Sequence, residues 1–284
     1  MNIIFDYTLL MVIVGTTMLG ITAGALSSFA FLRKQSLLGD AISHAALPGI
    51  VLACLVTHQK NPYVLMSGAG IAGAIGTGFI YLVLGHTAIK SDTILGVVLS
   101  VFFGFGLVLI SLLKKYPSLQ AGSMQKFLFG NASSFTTQEL HIVFMISCLV
   151  LLCIILLWKE FKLLSFDRDF AHNAGFATNR INVVLTSLLV ITIIIGLQTV
   201  GVILMSTMLI APGAAARQWT NRLERMVILS GTFGAIACVA GSCVSSMFAH
   251  IPTGPTIVIF LSIIVFVSLA CAPARSIHKH KVVS

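Results

Sequence analysis

Between Tyr7 and Ala272 apolar runs follow one another with only short polar breaks between them. A run of about 20 apolar residues crosses the hydrocarbon of a bilayer, where no water is present to bond the backbone. Each such run must therefore satisfy its own N–H and C=O groups, which confines it to the α-helix. With 57% hydrophobic and 9% charged residues and a mean hydropathy of +1.04, the 284 residues leave no room for a soluble domain. The chain reads as an all-α polytopic membrane protein, with residues 1–284 forming one transmembrane domain.

The runs fall near 7–31, 36–57, 62–84, 92–113, 139–158, 181–197, 201–216, 226–249 and 255–272, which makes about nine crossings. Eight would result if 181–216 were a single long tilted helix. The basic loops flanking that stretch favour the same face of the membrane, however, so an even number of crossings is expected there, with a turn near Gln198–Gly201. Placing the N-terminus outside puts Arg33, Lys34, Lys90, Lys159, Lys162, Arg168, Arg180, Arg217, Arg222, Arg225, Arg275, Lys279 and Lys281 inside. Lys60, Lys114, Lys115 and Lys126 are left outside. The excess on one side follows the positive-inside tendency and puts the C-terminus in the cytoplasm. It also accounts for the net charge of +9 without nucleic acid, which is excluded as a partner. The first run lacks a preceding basic segment and is expected to be a retained helix. Six cysteines lie in or beside apolar runs without a C-x-x-C pair and read as small buried hydrophobes. Glycine and alanine at helical spacing in 68–78 read as close helix packing in lipid. Residues 114–138 are the least regular stretch, where a short helix dipping into the membrane is one reading.

Charge within the spans is costly and therefore informative. Asp40 and His44 stand four apart, so on a helix they share a face one turn from each other. Such a pair binds a metal, relays protons, or ties helices together. Pro48 has no N–H, which leaves the carbonyl of His44 without its helical partner and invites a kink. Carboxylate, imidazole and a freed carbonyl together suit a divalent transition metal such as manganese, zinc or iron. Pro212 does the same to the carbonyl of Met208 and marks a second candidate hinge. Asp92 opens a span and reads as a helix N-terminal group. His58, His86, His141, His172 and His250 sit at span edges or in loops, and "HKHK" at 278–281 reads first as a topology signal.

The stretch "LLGDAISHAALPGI" closely resembles the signature of the membrane permeases of manganese, zinc and iron ABC importers. The resemblance extends to "IKSDTILG" (89–96), "FLFGN" (127–131), "SFDRDFAHNAGF" (165–176) and "VGVILMSTMLIAPGAAA" (200–216), nearly the whole chain in order. It implies a type II-like ABC importer permease in the bacterial cytoplasmic membrane, with Asp40 and His44 lining the metal pathway. The implied partners are a second permease copy as homodimer or close heterodimer, two ATPase subunits and an extracytoplasmic metal-binding protein. "DAISHAALPG" looks nearer to the manganese and iron members, which favours manganese as the transported ion. The sequence contains no G-x-x-x-x-G-K-[ST] phosphate loop, so ATP is expected on the partner subunit. Residues 165–176 read as a short amphipathic cytoplasmic helix with Phe166, Phe170 and Ala171 toward one side, Asp167 among them, and Gly175 as its stop. In the family this segment resembles the helix that couples to the ATPase.

Two other classes compete. An ion-coupled secondary carrier would use Asp40 and His44 as a proton relay but leaves the amphipathic segment unexplained. An intramembrane hydrolase is disfavoured because neither H-E-x-x-H nor G-x-S-x-G occurs.

Overall fold

The computed structural model describes residues 7–58, 61–87, 89–113, 136–247 and 251–280. Its helices are α1 (Tyr7–Leu32), α2 (Ser36–Thr57), α3 (Pro62–His86), α4 (Ser91–Leu113), α5 (Thr137–Leu156), α6 (Trp158–Phe166), α7 (Arg168–Asn173), α8 (Thr178–Val200), α9 (Val202–Trp219), α10 (Leu223–Met247) and α11 (Thr253–His280). Each of the nine expected spans corresponds to one of them. Eight are long and apolar enough to cross a membrane. The remaining one, α9, is 18 residues long and ends on Arg217, Gln218 and Trp219. The irregular stretch singled out in the sequence lies largely outside the described residues, as do Lys60, "FLFGN" and His250.

Helix ends are set by local chemistry. Asn61 caps α3 by accepting from Tyr63 N–H, with Pro62 at the first helical position, where its missing N–H costs nothing. Thr136 and Glu139 form a reciprocal capping box at α5. Between α1 and α2, Gln35 N–H donates to the carbonyl of Ala30 and Lys34 N–H to that of Phe31, while Lys34 takes the left-handed conformation (φ 54°). This bond pattern closes off a helix C-terminus, usually with glycine where Lys34 stands. The chain thus reverses within three residues and starts α2 beside the end of α1.

Side-chain contacts give the direction of each crossing. At the C-terminal end of α1, Arg33 bonds Asn182 near the start of α8, and Phe29 packs edge-on against Trp158 and Phe161 of α6 at 6.0 and 5.9 Å. Ser28 of the same end bonds Ser230 near the start of α10 at 2.7 Å, and Gly213 late in α9 lies against Ser27. At the other end, Thr16 meets Ser242 late in α10 at 3.2 Å, and Gln198 late in α8 donates to Glu139 at the start of α5 at 3.1 Å. The chain therefore runs away from the first face along α8 and returns along α9. The reversal is at Gly201, whose φ of 86° few other residues adopt. Two helices running in opposite directions, not one long tilted helix, occupy this stretch. Arg33, Lys34, Lys159, Lys162, Arg180, Arg217, Arg222 and Arg225 all fall at the first face.

Helices α1, α2 and α8 form the enclosed centre, whereas α3, α4 and α5 present Ile71, Ile75, Phe79, Val101, Phe105, Met145 and Ile155 outward. Lipid removes any hydrophobic drive for helices to associate, so close approach of backbones supplies the contact. α1 packs most extensively on α10, with Gly20 and Gly24 facing Gly234 and Ser230, and α2 packs on α3 with Gly49 against Gly68. A Cβ at Gly24 would drive into the Ser230 carbonyl, while one at Gly104 would meet nothing. Gly24→Ala should therefore cost about 1–3 kcal/mol of stability, and Gly104→Ala none. Thermal unfolding of the two variants in detergent measures the difference, which an equal effect in both would contradict.

Candidate metal site

Asp40 and His44 lie in the second and third turns of α2, the helix that packs on α3, α4 and α9. At a rise of 1.5 Å per residue they stand about 6 and 12 Å above the start of the helix, short of the midplane. Their neighbours Ala41, Ile42, Ala45 and Ala46 are fully buried. The polar pair faces the less enclosed side, with Asp40 31% and His44 19% exposed. Nε2 of His44 is 3.5 Å from Oδ1 of Asp40, too long for a good hydrogen bond. Two ligands held at about 2.1–2.2 Å by a tetrahedral or octahedral ion lie about 3.0–3.6 Å apart, so the spacing matches two adjacent positions of one shell. His44 Nδ1 is buried without a hydrogen-bond partner, and the ring stands edge-on to Phe103 of α4, with centroids 4.7 Å apart and planes at 73°.

Among the described residues no group of three or more His, Cys, Asp and Glu side chains converges anywhere. The helix continues through Pro48, and α9 likewise continues through Pro212, so both prolines sit within helices, not at their ends. Asp92 occupies the first turn of α4, where the helix dipole favours a carboxylate. It lines a cavity of about 440 Å³ with Phe31, Leu32, Lys34 and Leu37 at the basic face, one turn from Asp40 along α2. A larger hollow of about 570 Å³ between α3 and α8 has only hydroxyls as polar groups, among them Tyr81 and Thr186 bonded at 2.6 Å, and offers a cation no charged ligand.

The other histidines are placed as their edge positions suggest. Nδ1 of His86 lies 2.9 Å from the carbonyl of Leu82, and that of His141 lies 2.7 Å from Thr137 O, so each turns back on its own helix. His58 ends α2 in the left-handed conformation, and His172 is exposed.

The amphipathic segment differs from its reading in the sequence. It comprises two helices that meet at Asp167, where α6 ends and whose Oδ1 accepts from Phe170 N–H to start α7. Phe166 belongs to the first, Phe170 and Ala171 to the second. The sequence places these three toward one side, but Ala171 is buried while Phe166 and Phe170 project outward, since consecutive residues of a helix point about 100° apart. Gly175 follows with φ 85°, a positive value that ends the segment as expected. All of this lies at the basic face, fastened to α1 through Phe161 and to α10 through Lys162 and Glu224 at 3.1 Å. Phe103 is the site residue that sequence reasoning missed: it is far from Asp40 in the chain, and an apolar residue in an apolar span carries no signal.

Residues 5–272 match the model of the ABC 3 transport family. The chain is 42% identical over 277 residues to the zinc transport system membrane protein TroC of Treponema pallidum, covering 98% of this chain and 93% of that protein. It is equally 42% identical over 266 residues to the manganese transport system membrane protein MntC of Bacillus subtilis, covering 94% of this chain but 61% of that longer protein. In three dimensions it matches PsaBC from Streptococcus pneumoniae, solved in complex with Fab, with a TM-score of 0.79 and 32% identity over 93% of this chain and 91% of that one. Helical architecture, an intramembrane carboxylate and imidazole, and these likenesses meet in one conclusion: the chain belongs to the ABC 3 transport family, as a multi-pass membrane transport subunit and not an enzyme.

Proposed function

We propose that the chain is the permease of an ATP-driven importer of a divalent transition metal, manganese by preference, and that Asp40 and His44 are ligands on its pathway. The observation that carries this is the 3.5 Å gap between a carboxylate and an imidazole on one turn of a central membrane helix. A buried carboxylate is costly unless a cation or a proton accompanies it, and the spacing suits a shared ion better than a direct bond. Hard oxygen with imidazole and no thiol fits manganese, while zinc and iron share the same donors. Relatives named for manganese and for zinc support the class of cargo.

One chain supplies too few ligands for a closed shell, so the working unit is a pair of permeases, as homodimer or close heterodimer, whose half-sites face one another across the pathway. Two ATPase subunits dock on the α6–α7 segment, and an extracytoplasmic metal-binding protein delivers the ion. The basic face is cytoplasmic, the N-terminus is outside, and the membrane is the bacterial cytoplasmic one. Pro48 and Pro212 serve as hinges of the two helices nearest the path.

Asp40→Asn and His44→Ala should each reduce manganese uptake to background without loss of assembly, read as cellular metal content with and without the chain. Wild-type uptake by the assembled double variant would leave the pair as a mere helix bridge, and accumulation of zinc in place of manganese would reassign the cargo. Replacing Phe170 or Gly175 with a charged residue should leave metal binding intact while uncoupling ATP hydrolysis from uptake. Normal coupling in both would remove the docking role. A cysteine at Lys60 should react with an impermeant reagent from outside and one at Arg222 should not, with the opposite pattern overturning the orientation.

A further inference from the structure

Helices α3 and α8 meet at two points and part between them. Toward the basic face the hydroxyls of Tyr81 and Thr186 are bonded at 2.6 Å, and toward the other face a Cβ on Gly70 would lie 3.7 Å from Ile194. Between these points Ala74 and Gly78 line one side of the hollow of about 570 Å³, and Val183, Val190 and Ile191 line the other. A side chain at Gly78 would meet no atom within 4 Å. The hydroxyls of Thr77, Tyr81 and Thr186 are bonded within the protein, so the wall they leave is apolar.

The dimensions of the hollow select its occupant. From Val183 to Ile194 is about 16 Å along α8, roughly half of a hydrocarbon core about 30 Å thick, so the groove spans one leaflet. Spread over that length, the volume gives a mean cross-section of about 35 Å². A helix about 10 Å across would need about 80 Å². A hydrocarbon chain in contact with carbon at about 4 Å needs about 20 Å². The groove therefore takes one or two acyl chains and is too narrow for a helix. Behind it, Gly73 and Val190 close against Ile42 of α2. Ile42 points about 200° away from Asp40 around that helix, so a second copy laid opposite the polar pair leaves the groove uncovered.

The end of the groove at the basic face is positively charged. Arg180 stands one turn before Val183, exposed, and its guanidinium has no partner among the described residues. Lys90, also exposed, follows shortly after the end of α3, and Gly85 leaves the edge of that helix open below Tyr81. Basic pockets between membrane helices take anionic head groups. We infer that the groove between α3 and α8 binds an anionic phospholipid of the leaflet at the basic face, with an acyl chain along Ala74 and Gly78 and the phosphate on Arg180. The lipid supplies the contacts that the two helices lack between their meeting points.

The full-length chain in phosphatidylcholine vesicles tests this, with a trace of phosphatidylglycerol bearing a diazirine midway along one acyl chain. After illumination, peptide mapping should find label on 70–81 and 183–194 in excess over α5, although Met145 and Ile155 of α5 are more open to lipid. This arm needs no variant. Gly78→Leu, which puts a side chain into open space, should abolish the excess in a protein that still assembles. Arg180→Gln should lower it about fivefold, the effect of one basic residue at an anionic surface. Equal labelling of α3, α5 and α8, or an excess that survives Gly78→Leu in assembled chain, overturns the site. An excess for a phosphatidylcholine probe as large as that for phosphatidylglycerol overturns its anionic preference. A disulfide between two copies of a Gly78→Cys variant would put a second copy in the groove and overturn the lipid.

Discussion

Close contact between helix backbones is what the rest of this fold depends on. Lipid offers apolar side chains as good a home as the protein interior does, so helices hold together only where small residues let them touch over long stretches. Gly20 and Gly24 bring α1 onto α10, and Gly49 brings α2 onto α3. The short hydroxyls of Thr16, Ser28, Ser230 and Ser242 fill the first of these seams with hydrogen bonds. α2 is thereby held on several sides, and Asp40 and His44 acquire a fixed place in a medium that would otherwise expel them.

Much of the architecture was legible in the sequence because the bilayer reduces the choice of structure to helices and the choice of order to an alternation. Run lengths located the spans, and the distribution of Lys and Arg pointed to a turn within 181–216, where the structure has two helices joined at Gly201. Asp40 and His44 were legible for a related reason: rare polar residues four apart in an apolar run stand out without any knowledge of their neighbours. What the sequence concealed were contacts between distant segments. The edge-on packing of Phe103 on His44 joins two helices through an unremarkable aromatic. The break at Asp167 was also hidden, because an Asp after Phe166 fits a continuous amphipathic helix as readily as it fits a cap.

The basic face combines two kinds of attachment. Arg33, at the turn into α2, is held to Asn182 of α8, and Phe29 a turn earlier is held between the rings of α6. Beyond these fastened groups Phe166 and Phe170 stand exposed on a segment of two short helices. Apolar side chains projecting from a rigidly anchored support are suited to a partner that must push or pull, since a flexible support would absorb the force.

Because Asp40 and His44 are one turn apart on a single helix, the backbone of that turn sets the distance between them. Sliding or tilting of helices elsewhere in the protomer carries the pair along as a rigid body and leaves its internal geometry untouched. A binding cycle built on such a pair cannot tighten or loosen by opening it, as a site assembled from several helices can. Its strength must be governed by what is brought opposite to it and by the few atoms that touch it sideways. On the proposed reading the two side chains are one jaw of a clamp, complete in shape and without grip until something closes against it.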